Sequence, residues 1–218
     1  MKKTAIVILM VLMTVTSSWA LGLPKLVGGG DDSGPTIEDA MGIQNDLVSA
    51  YVDGNKYDLE AKSIIADALG LKEQAATLKM ASESINEGNV KDIDANRVKT
   101  EDAQKAIDKK MTESEALSDE SKAKIGESLV CLTKCVVSYK KAADLSQGAL
   151  ESAQAVVKNA PITQMVTIKK KLDPVLTIAP KVPSDLPSVV ETTSRYVQFA
   201  RSAGVEPPSD LEAALGDI

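Results

Sequence analysis

The sequence predicts an all-α fold, a bundle of four to six packed helices with helical-hairpin connections. Three observations carry that expectation. Apolar residues recur at threes, fours and sevens along most of the chain. Capping residues and C′ glycines bracket these runs, and no stretch alternates β-branched and polar residues as a strand would.

The N-terminus begins differently. Met1-Lys2-Lys3 is followed by an apolar run from Ala5 to Val15 and then by Ser17-Ser18-Trp19-Ala20. A charged start, a short apolar centre and small residues either side of Trp19 predict a signal peptide over residues 1–20, cleaved after Ala20. The apolar run is shorter than the roughly 20 residues that a membrane-spanning helix needs. Export to the periplasm or cell envelope, or secretion beyond it, is therefore expected. Residues 21–35, with Gly28-Gly29-Gly30 followed by Asp31-Asp32-Ser33-Gly34-Pro35, predict a flexible linker. No strand precedes these glycines and two aspartates follow them, which argues against a phosphate-cradling loop.

A single helical domain is expected over residues 36–218, with long helices to residue 160. Thr36 has the chemistry of an N-cap, and Asp39 suits the positive end of the helix it opens. Ile37, Met41, Val48, Val52, Leu59, Ile65 and Leu69 follow at helical spacing. Gly54 is the weak point of this run, which reads either as one helix or as two with a turn between them. Gly70 followed by Leu71 predicts a Schellman stop.

A second helix is expected over residues 71–86, ended by Gly88-Asn89, and a third from Asp94 to Met111 carrying Val98, Ala103 and Ile107. Ser118 predicts the cap of a fourth helix, with Asp119 and Glu120 in its first turn. Its centre, Leu129 to Leu132 and Cys135 to Val137, is apolar nearly all round and predicts a well-buried central helix. Residues 145–160 continue that helix or restart it near Ser146 and Gly148.

Beyond Asn159, seven prolines predict shorter helices over residues 161–218, each proline beginning or ending one. Ser184 is the expected cap of a helix over residues 185–203, stopped by Gly204. Ser209 and Glu212 have the spacing of a capping box for a terminal turn.

Composition narrows the chemistry. The chain contains no histidine, which excludes Ser-His-Asp and Cys-His catalysis and any histidine-ligated metal or haem. Loss of residues 1–20 leaves 23 basic against 31 acidic side chains, a formal net charge of −8, and five aromatic residues. Such a chain lacks the basic field and the stacking platforms that nucleic acids require. Asp92-x-Asp94-x-Asn96 opens like a calcium loop, but Arg97 replaces the turn glycine and Ala103 the closing glutamate. No carboxylate pair or Ser-Lys arrangement stands out as catalytic machinery, so no enzyme activity and no cofactor are expected.

Two features remain. Cys131 and Cys135 lie four residues apart on one helical face. They read first as small buried thiols, then as partners in disulfides to another chain in an oxidising compartment, since this spacing is awkward for a disulfide within the helix, and last as half of a metal or redox site. Residues 162–172 contain the one locally basic stretch, Lys169-Lys170-Lys171, among Ile162, Met165, Val166, Ile168 and Leu172. A helix with this pattern either packs its apolar side while its lysines meet acidic neighbours, or lies on an anionic membrane.

The Gly-rich lead, the Leu69-Gly70-Leu71 break and the terminal Ala214-Leu215-Gly216-Asp217-Ile218 are similar to those of small exported helical proteins of Gram-negative bacteria with no assigned function. That resemblance implies export and helicity, and no site residues. The expected function is binding or scaffolding through a protein partner or self-association, with a membrane-active or lipid-binding role, contacting anionic membrane through residues 162–172, as the alternative.

Overall fold

The computed structural model describes residues 34–86, 90–113 and 116–216. Residues 1–20, most of the Gly-rich lead, Gly88-Asn89 and Asp217-Ile218 lie outside these. Ser33–Ile218 forms one compact unit. Its described residues contain six helices of thirteen residues or more and a terminal helix of eight. These are α1 (Ile37–Ala68), α2 (Lys72–Ser84), α3 (Lys91–Glu113), α4 (Asp119–Asn159), α5 (Met165–Ile178), α6 (Val182–Ser202) and α7 (Ser209–Gly216).

Helix α1 starts where the sequence places it. The Thr36 side chain accepts from the Asp39 N–H and the Asp39 carboxylate accepts from the Thr36 N–H, a reciprocal capping box. The Thr36 hydroxyl and the Thr36 N–H, both donated to that carboxylate, hold the Asp39 carboxyl below its usual value. The helix then runs unbroken through Gly54 and ends in a full Schellman motif. Gly70, at φ +78°, donates to Asp67 and Leu71 donates to Ala66. Gly204, at φ +77°, closes α6 in the same way, with Val205 donating to Ala200.

The two longest helices, about 48 Å and about 61 Å at 1.5 Å per residue, run antiparallel. Gly34 lies beside Asn159, Gly54 beside Tyr139, and Asp67 pairs with Lys124 at 2.9 Å. Leu47, Tyr51, Ala61 and Ile65 from α1 meet the core that Leu129, Leu132, Val136 and Tyr139 build from α4. Gly54 is what lets them close. A Cβ there would sit 2.7 Å from the Tyr139 ring, nearer than atoms approach, so the buried tyrosine packs against bare backbone.

Several expectations change. Val98, placed with Ala103 and Ile107 by the sequence reading, is 75% exposed. At 100° per residue it lies opposite Ile107, and the inward face is Ile93, Asn96, Thr100, Ala103 and Ile107. Helix α4 continues past Ser146 and Gly148 without a break, and its apolar centre is buried on one side only, leaving Val130 and Val137 exposed. Ser184 does not cap α6, which begins at Val182; its hydroxyl donates back to the Lys181 carbonyl. Glu212 pairs with Arg201 of α6, and α7 starts instead on the Pro208 carbonyl.

Two prolines lie inside helices rather than at their ends, Pro174 in α5 and Pro187 in α6. Each removes one helical N–H, and the residues four back, Lys170 and Pro183, are exposed. At Pro174 the fold adds a repair. Buried Gln44 of α1 gives its Nε2 to the Lys171 carbonyl at 3.1 Å and receives the Val175 N–H at 3.3 Å. Those are the two backbone groups that an uninterrupted helix would join to each other, so one side chain both mends α5 and docks it on α1.

Glycines within α1 should respond to alanine with opposite signs. Gly54→Ala gains helix propensity but collides with Tyr139, and should lower stability by about 1–3 kcal/mol. Gly42→Ala, with nothing within 4 Å of the new methyl, should raise it by about 0.5–1 kcal/mol. Urea denaturation followed by circular dichroism measures both.

Candidate functional site

Helices α3 and α6 run side by side and meet mainly through long polar side chains. Along the seam Asp94 pairs with Lys181, Arg97 with Asp185, Gln104 with Tyr196 and Asp108 with Arg195. Between them lies a cleft of about 270 Å³, with Leu59, Ile93 and Val189 among its apolar walls and Asp58, Lys62 and Glu101 among its charged ones.

Arg97 organises this cleft. Its guanidinium forks onto Asp185, with Nη1 to Oδ1 at 3.0 Å and Nη2 to Oδ2 at 2.8 Å. Nη2 also points at the hydroxyls of Tyr139 and Tyr51, at 3.3 and 3.4 Å, and at Asn55 Oδ1, at 3.4 Å. Tyr51 completes the ring by donating to Asp185 Oδ2 at 2.7 Å. The two tyrosine rings meet edge to face, 5.7 Å between centroids. Four helices, α1, α3, α4 and α6, are thereby tied to one cation.

Electrostatics follow from that arrangement. Burial works against the Arg97 charge, but the Asp185 hydrogen bonds and the surrounding hydroxyls outweigh it and raise its pKa. Burial raises the Tyr51, Tyr139 and Tyr196 phenols, with Arg97 opposing the rise at the first two and the Gln104 bond opposing it at Tyr196. All three stay protonated at neutral pH. Lys62 is bonded to Asp58 at 2.7 Å and Glu101 to Lys105 at 2.6 Å. The charged groups of the cleft are thus ion-paired, Arg97 with Asp185 between helices and Lys62–Asp58 and Glu101–Lys105 within one helix each.

Sequence reading touched Arg97 only as the residue that spoils a calcium loop, and did not single out Tyr51, Tyr139 or Asp185. An arginine six residues into a polar helix carries no local sign of a partner 88 positions away. The residues it did single out are elsewhere. Cys131 and Cys135, on α4, are both free thiols, the first partly exposed and the second fully buried, and burial raises both. Among the described residues no group of three Cys, Asp or Glu side chains could hold a metal ion. Lys169, Lys170 and Lys171 are exposed on α5, and none forms an ion pair among the described residues. Of the apolar residues around them only Leu172 is fully buried, while Ile162 and Val166 are 88% and 79% exposed.

No protein-family model matches the chain, and neither does a curated protein or a solved structure.

Removing the fork should expose its structural worth. Arg97→Met strands the Asp185 carboxylate and should cost about 2–4 kcal/mol, whereas Arg97→Met with Asp185→Leu should cost less than the two changes summed. Chemical denaturation of the four proteins of that cycle measures the coupling.

Raised phenols also fix the sign of an alkaline effect. Each buried tyrosine contributes stability that is complete below the unfolded value of about 10 and is lost as pH climbs towards its higher folded value. Tyrosinate absorbance from Tyr51, Tyr139 and Tyr196 should therefore appear together with loss of helical circular dichroism in an alkaline titration.

Proposed function

We propose that this chain is an exported, non-enzymatic helical protein that acts by binding or scaffolding in the periplasm or cell envelope. The observation that carries the reading is the pairing of Arg97, Asp185, Tyr51, Tyr139 and Asn55 with one another. The polar groups of this cleft are consumed in holding helices together, so recognition falls to the outer helix faces. Export rests on the charged, apolar and small-residue succession of residues 1–20. No helix among the described residues is long and apolar enough to cross a membrane.

A second reading has its own support. Ile162, in the turn before α5, and Val166, in its first turn, are exposed on the approach to three lysines without ion pairs, on a chain that is otherwise acidic. Apolar anchors next to unneutralised lysines suit peripheral contact with anionic lipid.

One fractionation tests both. Expressed in a Gram-negative cell, the protein should be released by osmotic shock with a mass that begins at Leu21. Recovery from the cytosol with Met1 retained would overturn export. Under the second reading the cleaved protein instead stays with the membrane pellet, leaves it in high salt, and becomes soluble when Lys169, Lys170 and Lys171 are changed to Gln.

A further inference from the structure

Helix α4 has one face that the fold leaves open. Ala123, Glu127, Val130, Lys134, Val137 and Lys141 are exposed, and their spacings of four and three trace a single seam along the helix. Val130 and Val137 stand two turns apart on it, 49% and 53% exposed. A helix apolar nearly all round is ordinarily covered all round. Here α1, α5, α6 and α7 pack against α4, yet these two valines remain in solvent. Glu127 precedes the valines and Lys141 follows them, and neither forms an ion pair among the described residues.

We propose that this face docks a second copy of the same chain, α4 against α4, antiparallel about a two-fold axis between Thr133 and Lys134. The proposal rests on the binding and scaffolding reading and names its partner. The seam is complementary to itself. Val130 and Val137 are equally distant from that axis, so each valine meets the partner's other valine across it. Glu127 and Lys141 lie roughly 10 and 11 Å from the axis along the helix, so each glutamate meets the partner's lysine. A parallel pairing would set like charges together. An unrelated partner would have to carry this order of charges independently, whereas a second copy supplies it by symmetry.

Lys134 lies nearest the axis, where two ammonium groups would repel. Its Nζ is drawn aside instead, over the Tyr57 ring of α1 at 5.4 Å from the centroid. Only its aliphatic stem then lies beside the valines.

Sedimentation equilibrium of the purified full chain over a concentration series tests the proposal. The expected result is a reversible monomer–dimer equilibrium. Val130→Asp with Val137→Asp should abolish the dimer without loss of helicity, because both side chains are exposed. Glu127→Lys alone and Lys141→Glu alone should each weaken it about tenfold, since two ion pairs per dimer become repulsive, and the double swap should restore it. A dimer that survives the aspartates, or that the double swap fails to restore, overturns this surface while leaving self-association standing. A wild-type chain that is monomeric throughout overturns the proposal and leaves a different protein partner as the reading of function.

Discussion

The contact between Gly54 and the Tyr139 ring sets the geometry from which the remainder follows. Because residue 54 has no side chain, the longest two helices approach closely enough for a tyrosine to lie on backbone. That approach turns the Tyr139 hydroxyl toward Arg97 and places the ring edge-on to Tyr51. Both phenols then lie within reach of a cation that arrives from α3, and Tyr51 reaches an anion that arrives from α6. A glycine that costs α1 about 1 kcal/mol of propensity thus permits a brace joining four helices.

The bundle is held in two different ways. Apolar packing joins α1 to α4, where Leu, Ile, Val, Ala and Tyr side chains from both helices are excluded from water. Polar pairing joins α3 to α6, where the helices stand apart and their side chains bridge the gap. The first kind is not screened by salt and strengthens with area buried. The second weakens as salt screens its exposed members, Asp94, Lys181 and Arg195 among them.

Much of the fold was legible in the sequence because its signals are local. The Thr36 cap, the Ser118 cap and the Gly70 and Gly204 stops depend on residues within a few positions of each other, and each is where the residues say. Signals that need a neighbour in space were read wrongly or left open. Pro174 looks like a helix end until Gln44, 130 residues earlier, supplies the bonds that the helix lacks. Val98 counted as a core residue because it is apolar, although its angle from Ile107 was already available in the spacing. The candidate site was not legible at all, since Arg97, Asp185 and Tyr139 are ordinary residues until the helices cross.

By itself, the sequence determined that the chain is helical and where most helices start and stop, because capping, glycine stops and hydrophobic period act over a turn or two of backbone. It also determined the chemistry that a chain without histidine cannot perform. Only the tertiary structure decided that α1 passes straight through Gly54, that Pro174 lies inside α5, and that Arg97 forks onto Asp185 beside Tyr139. The reason is distance along the chain: those outcomes depend on groups 42 to 131 positions apart, whose meeting is governed by how helices pack and not by any neighbouring residue.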